Sequence, residues 1–242
     1  LVLMLIAGTF GALVAGLVVG LFVVRYRYIF FGMLNLAVSM IFFSILEKFY
    51  YITGGSDGLQ VARPTVLGVE MERAGFETLL FYLTLVLCLA AAWGTHRFLN
   101  SPIGNLMRAI KTNEVRLEYL GVSARRVLLA GYALSAALGG LGGALTAVAQ
   151  GIVTPEYAYW IRSGEFVFIA ILGGSGSVGG AFVGALVYAA VRAFAAAFAA
   201  DYWQMVLGIV LLVVILYRPS GVVGAWFEFL ERLRRRGRET AE

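Results

Sequence analysis

A chain of 242 residues that is 61% hydrophobic and only 14% charged, with a mean hydropathy of +0.87, has too little polar surface for a water-soluble domain and reads as a membrane protein. Its formal net charge of +5 does not mark a nucleic-acid surface, because the basic residues sit beside apolar runs and in the tail, where membrane topology accounts for them. One cysteine, Cys88 within an apolar run, excludes a disulfide framework and a cysteine metal site; the lone His96 beside Arg97 reads as an interfacial polar group, and no metal site is expected.

Residues 1–24 carry no charge and are long enough to span a bilayer as a helix. Gly8, Ala12, Gly16 and Gly20 fall on one stripe at four-residue spacing, which lets another helix backbone approach closely. The chain opens on Leu1, directly inside this span, so earlier helices are expected to precede it, and no signal-peptide pattern is read. Arg25 and Arg27 mark a water-facing turn. A second span covers residues 28–46, where Asn35 and Ser39 are expected to hydrogen-bond to neighbouring helices.

Residues 47–77 leave the membrane as an acidic loop assigned to the outside. Within it, residues 53–59 read TGGSDGL. Three glycines and an aspartate in seven residues can free backbone N–H groups for an anion or another loop, or can form an ordinary turn in which Asp57 bonds locally; the composition slightly favours the turn. A third span covers residues 78–95.

The chain is organised around residues 101–126, the only long charged helix between two apolar spans. Ser101 is a good N-cap, Pro102 suits the first helical position, and Gly121 suits a left-handed C-terminal position, so about five turns of one helix are expected between them. Ile103, Leu106, Met107, Ile110, Leu117 and Leu120 repeat at helical spacing and can bury one face, leaving Arg108, Lys111, Glu114, Arg116 and Glu118 for water or a partner.

A fourth span, residues 127–149, carries two overlapping small-residue seams, Ser135/Gly139/Gly143 and Ala136/Gly140/Ala144, each suited to tight helix crossing. Pro155, Tyr157, Tyr159 and Trp160 then favour the headgroup region. The apolar piece 166–172 is too short to cross alone and reads as discontinuous or re-entrant unless Gly164, Glu165 and more of the preceding loop join it. After the glycine-rich run 173–180, an apolar helix extends to about residue 200; Asp201, Tyr202 and Trp203 form an interface, residues 202–217 make the last span, and Arg218 and Pro219 end it. The fold expected is an all-α polytopic membrane protein with about six spanning helices and one short discontinuous segment. Residues 1–218 form the transmembrane domain, with an external loop at 47–77 and a cytoplasmic loop at 96–126, and residues 219–242 form a basic cytoplasmic tail. This topology places 14 of the 19 Lys and Arg on the cytoplasmic side, as the positive-inside rule requires, provided that residues 173–180 turn at that side.

Gly174, Gly176 and Gly179 spell GxGxxG, the order of a dinucleotide fingerprint, but the helix that follows is apolar nearly all round and no βαβ unit surrounds it. A tight turn is the better reading, with Gly176, Gly180 and Gly184 continuing as a packing stripe. No Walker A, HExxH or nucleophile-elbow pattern occurs, so catalysis by this chain is not expected. Arg192 is the only charge inside an expected span, either a pathway or pairing residue or one that snorkels outward near Asp201.

TGGSDGL after two spans, RAIKTNEVRLEYLGV in the cytoplasmic loop, LGGSGSVGGAFVGA, and YWQMVLGIVLLVVILYRPSGVVG at the end together resemble the LivM-type permease subunits of branched-chain amino acid ABC importers, from Arg25 onward. The resemblance implies an inner-membrane subunit of bacteria or archaea with a cytoplasmic C-terminus. It implies a second permease as partner, two cytoplasmic ATPases that hold ATP and magnesium, and an extracytoplasmic binding protein, with no cofactor on this chain. It also implies that Arg108, Ala109, Ile110, Lys111, Asn113, Glu114 and Gly121 belong to a coupling loop docking into an ATPase groove. Thr53, Gly54, Gly55, Asp57 and Gly58 would lie on the substrate-entry side, and Arg192 is kept with them as a pathway candidate. Helix packing is assigned to Gly139, Gly143, Gly176, Gly180 and Gly184. The family's earlier glycine-rich motif and opening helices are absent, and RYRYIFFGMLNLAV at 25–38 matches the usual basic and aromatic run only loosely. Branched-chain amino acids are the expected solute; urea or short amides, or an ion-coupled secondary transporter broken near residues 173–180, are the alternatives.

Overall fold

The computed structural model describes residues 1–62, 64–65, 72–174, 176–198, 203–217, 221 and 223–224. The interface expected at Asp201 and Tyr202, the stop at Arg218 and Pro219, and the tail from residue 225 lie outside them. The described residues are helical nearly throughout, with two dipeptide strands among them, and the chain divides into two compact units, Leu1–Trp160 and Ile161–Glu242. Five helices are long and apolar enough to cross a membrane among the described residues, which makes this an all-α polytopic membrane protein.

In the first unit, α1 (Val2–Val23) and α7 (Ala124–Gln150) form the central pair. They run antiparallel in a register read from the small residues: Gly8 meets Ala144, Ala12 meets Gly140, Gly16 meets Ala136, and Gly20 makes room for the Tyr132 ring. A Cβ on Gly16 would fall on the Cβ of Ala136, so these backbones approach as closely as glycine permits. The stripe expected on α1 therefore packs against one of the two seams of α7. The other has no such partner among the described residues: none of them lies within 4 Å of a Cβ at Gly139 or Gly143.

The Tyr132 hydroxyl donates to Asn35 Oδ1 at 2.9 Å, tying α7 to α2 (Tyr28–Lys48). Ser39 Oγ donates to the Ala158 carbonyl at 2.6 Å, in a 3-10 turn at Pro155–Ala158. Asn35 and Ser39 of α2 thus each make a hydrogen bond to another element of the bundle, while Asn35 Nδ2 donates to the Phe31 carbonyl of its own helix at 3.0 Å. α4 (Arg73–Leu99) brings Phe76 and Leu80 against Leu5, Leu145 and Val148 in a small buried core. The large apolar side chains of α1, α2 and α4 otherwise point outward, Leu3 at 81% exposure and Ile29 at 75%, as lipid-facing or subunit-facing surfaces do.

The second unit is built from α8 (Trp160–Gly173), α9 (Val178–Phe198) and α10 (Trp203–Tyr217). The short apolar piece expected at 166–172 is part of a longer helix, because Arg162, Gly164 and Glu165 join it. The pairing of Arg162 Nη1 with Glu165 Oε2 at 2.9 Å keeps both charges within the first two turns. At 14 residues α8 is about 21 Å long and still shorter than a hydrocarbon core of about 30 Å. Its end and α9 approach backbone to backbone. A Cβ on Gly173, Gly180 or Gly184 would collide with main-chain atoms of the facing helix, whereas Gly176, in the turn, has open space around it. Leu172 and Tyr188 are buried at the centre of this unit, with Ile169, Val191, Val210 and Val214 packed against them.

Candidate functional site

Residues 101–121 form two helices where one was expected. α5 (Pro102–Thr112) starts as the sequence indicates, with Ser101 Oγ accepting from the Gly104 amide at 3.4 Å. At Asn113 the backbone turns extended, φ −160° and ψ 101°, and the Asn113 Oδ1 accepts from the Arg116 amide at 3.0 Å to cap α6 (Glu114–Tyr119). Asparagine competes with helix hydrogen bonds through its own side chain, and that competition breaks the segment here. Gly121 closes α6 at φ +81°, its amide donating to the Glu118 carbonyl at 2.9 Å, a conformation that costs a Cβ-bearing residue about 1–2 kcal/mol.

The handle is fixed to its own bundle at several points. Arg27 Nε donates to Glu114 Oε1 at 2.5 Å, with the two side chains 25% and 21% exposed, and the Arg27 guanidinium also donates to the Val24 carbonyl. The Met107 methyl sits against Gly131 of α7, and Leu117 is buried. Ala109 and Ile110 are half-buried, while Arg108, Lys111, Asn113 and Arg116 are exposed. Leu120, counted with the buried face in the sequence, is 74% exposed beside Tyr119 at 86% and Val115 at 60%. The break at Asn113 rotates α6 away from the helical phase of α5, and an apolar knob next to a basic surface results.

The TGGSDGL loop folds as a closed turn. Its amides are used internally: Gly54 donates to the Tyr50 carbonyl at 2.9 Å, Gly55 to Thr53 Oγ1 at 3.3 Å, Asp57 to the Gly54 carbonyl at 3.2 Å and Gly58 to the Gly55 carbonyl at 3.1 Å. Thr53 Oγ1 donates to the Leu46 carbonyl at 2.5 Å, and the Tyr50 hydroxyl reaches Asp57 Oδ2 at 3.3 Å. These four N–H groups do not form an open anion cradle; the local-turn reading describes them. Gly58, at φ +73° and pressed against the Val153 carbonyl, lets the chain clasp the segment after α7, where Leu59 pairs with Val153 and Gln60 with Ile152.

Arg192 lies on an exposed face of α9, one turn beyond the buried Tyr188. The structure thus places the candidate residues in four settings: the handle, the clasped loop, the face of α7 that carries Gly139 and Gly143, and the α8–α9 pair. One partnership was not visible in the sequence, that of Arg27 with Glu114. The only hint was that Arg27 and Glu114 were opposite charges expected on one side of the membrane.

The family described as branched-chain amino acid transport system / permease component matches residues 1–215. LivM of Escherichia coli (strain K12), a high-affinity branched-chain amino acid transport system permease protein, is 29% identical over 239 residues, covering 90% of this chain and 56% of that protein. LivM of Salmonella typhimurium is 28% identical over 230 residues, covering 86% and 54%, and BraD of Pseudomonas aeruginosa is 28% identical over 125 residues, covering 51% and 40%. The chain spans about half the length of these curated relatives. No solved structure matches. With nearly its whole length matched by the family, the chain belongs to the permease components of branched-chain amino acid transport systems.

Proposed function

We propose that this chain is a transmembrane subunit of an ATP-driven importer that moves branched-chain amino acids inward across the inner membrane by alternating access. The observation that carries the reading is the handle: an amphipathic α5–α6 segment, capped at both ends and braced by the Arg27–Glu114 pair, that presents Arg108, Lys111, Val115, Tyr119 and Leu120 outward. No hydrogen bond or ion pair among the described residues engages the Arg108, Lys111 or Tyr119 side chains, whereas a groove on a cytoplasmic ATPase would bury the apolar knob and meet its charges. In this reading residues 96–126 are the coupling loop on the cytoplasmic side and residues 219–242 the cytoplasmic tail. The clasped loop within 47–77 faces the outside, toward an extracytoplasmic binding protein. A second permease covers the apolar faces left by α1, α2 and α4, and two ATPases supply the nucleotide chemistry.

The test is purification of the tagged full-length protein from its host under mild solubilisation, followed by reconstitution of what co-purifies. Recovery of P-loop ATPases and a second permease, with leucine uptake into proteoliposomes that depends on ATP, is the expected result. A homo-oligomer whose uptake collapses with the ion gradient and survives ATP depletion would replace this reading with ion-coupled transport.

A further inference from the structure

The last turns of α2 carry a shallow groove of about 390 Å³, lined by Met40, Ile41, Ser44, Ile45, Lys48 and Phe49. These positions recur at three- and four-residue spacing and share one face of the helix. It is turned away from Ser39, which bonds to the 3-10 turn, and from Phe43, whose ring packs on Tyr159. Ile41, Ile45 and Phe49 are exposed, and so are Ser44 and Lys48 between them.

The two polar groups of the groove are free. Serine and threonine hydroxyls inside a helix can donate to the carbonyl four residues back, as Thr9, Thr78 and Thr146 do in this chain. Ser44 makes no such bond among the described residues. Arg27, Arg73 and Arg162 each hold a carboxylate, whereas Lys48 holds none. Glu47, the adjacent acid, lies about 100° round the helix from Lys48.

Depth gives these groups an order. Helix α2 has 21 residues and is about 31 Å long, close to the thickness of a hydrocarbon core, and Lys48 is its last residue. The ammonium group therefore stands at headgroup level. Ser44 lies about 6 Å deeper, and Met40 and Ile41 one turn deeper again. From water inward the groove offers a cation, a hydroxyl donor and an aliphatic wall. An anionic phospholipid presents the complement in the same order: phosphate, ester carbonyl, acyl chain. A protein helix laid on this face would instead bury a lysine and a serine, and would need an acid and an acceptor at matching heights.

We infer that the Lys48 end of α2 is a binding site for an anionic phospholipid. The Lys48 ammonium holds its phosphate, the Ser44 hydroxyl donates to an ester carbonyl, and one acyl chain lies along Met40, Ile41 and Ile45. Phe49 closes the groove at the interface, where aromatic rings are favoured. This stretch is the part of the α2 face left to lipid when a second permease covers the rest. Lipid capture here depends on α2 spanning the bilayer, and on neither the solute nor the energy source.

The test uses the full-length protein, with the subunits it purifies with, in phosphatidylcholine nanodiscs. These carry a small, equal mole fraction of phosphatidylglycerol or phosphatidylcholine with a diazirine in the acyl chain. After illumination, adducts on residues 40–49 are quantified by peptide mass spectrometry and normalised to adducts on the other spans. Phosphatidylglycerol is expected to label this stretch about fivefold more than phosphatidylcholine, the preference that one lysine near the membrane surface supplies. Lys48→Gln should bring the ratio to about one, and Lys48→Arg should keep it. Ser44→Ala should lower labelling by both lipids about twofold and leave the ratio, because both carry the ester carbonyl. These are exposed positions, where substitutions rarely disturb folding. A ratio near one in the unmodified protein would overturn the site, since bulk lipid then bathes the groove. A raised ratio that survives Lys48→Gln would overturn it by assigning the preference to another cation. Absence of adducts from both lipids would replace the lipid with a protein neighbour on this face.

Discussion

Moving one methyl group between α1 and α7 tests the central pair directly. A Cβ added at Gly16 meets the Ala136 Cβ inside van der Waals contact, and among the described residues the only other neighbour within 4 Å is the Ala136 Cα at 3.7 Å. Gly16→Ala alone should therefore force the helices apart and cost about 1–3 kcal/mol from overpacking. Ala136→Gly alone removes a buried methyl, worth about 0.8 kcal/mol, and adds about 0.5–1 kcal/mol of glycine backbone entropy. The double variant keeps the number of methyls at the crossing and shifts the methyl by one side-chain depth, so it should lose little. Helix-propensity terms cancel in the cycle, which leaves a favourable coupling of about 1–3 kcal/mol between the two sites. Denaturant titration of the purified assembly in mixed micelles measures all four corners. Additivity of the single changes, within about 0.5 kcal/mol, would refute the Gly16–Ala136 register and with it the seam that α7 uses.

The Arg27–Glu114 pair makes a sharper functional prediction. If Glu114 acts by bracing the handle, Glu114→Gln and Arg27→Gln should lower ATP-driven uptake to a similar degree, and the charge-swapped double variant should recover part of it; loss confined to Glu114→Gln would mean that Glu114 contacts an ATPase itself. Asn113→Ala removes the α6 cap and should cost about 1 kcal/mol of local stability, read as faster amide exchange at residues 114–119. Gly58→Ala combines a strained φ of +73° with a collision against the Val153 carbonyl, so the loop should open and become cleavable by protease added from outside, at a cost of at least about 1–2 kcal/mol. Single cysteines at Ser56 and Arg116 should label from opposite sides of sealed vesicles, with Ser56 outside; labelling from the same side would overturn the topology.

Features written in local chemistry were legible before the fold was seen. Ser101, Pro102 and Gly121 frame the handle because caps depend on residues a turn apart, and the spans follow from unbroken apolar runs. The Gly8 to Gly20 stripe was legible for the same reason. Which seam of α7 receives it was not, because Gly139 and Gly140 differ by one residue, or about 100° of helix rotation, and only tertiary packing chooses between them. Asn113 is compatible with helix or cap, and its neighbours gave no periodic signal strong enough to decide. The clasp of residues 59–60 on 152–153 is too short to show strand alternation. Arg27 and Glu114, 87 residues apart, are a pairing that no spacing rule reaches.

These contacts bear on how force would pass through the first unit. The handle is joined to the α1–α2 turn by Glu114 and Arg27, to α7 by Met107 on Gly131, and to the end of α4 by the close approach of Gly104 to Leu99. Helices α1 and α7 are in turn locked by three glycine–alanine contacts along their length. A push on α5–α6 therefore cannot be absorbed at one joint; it displaces α1 and α7 together, because close-packed backbones slide or tilt as a body before they compress. In the importer proposed above, ATP would drive such a displacement only if a partner ATPase grips the handle differently in its two states. The exposed Val115, Tyr119 and Leu120 are where that difference would arise, since an apolar knob buried in one state and released in the other changes its free energy by an amount set by area. The basic residues beside it would set orientation and approach more than strength.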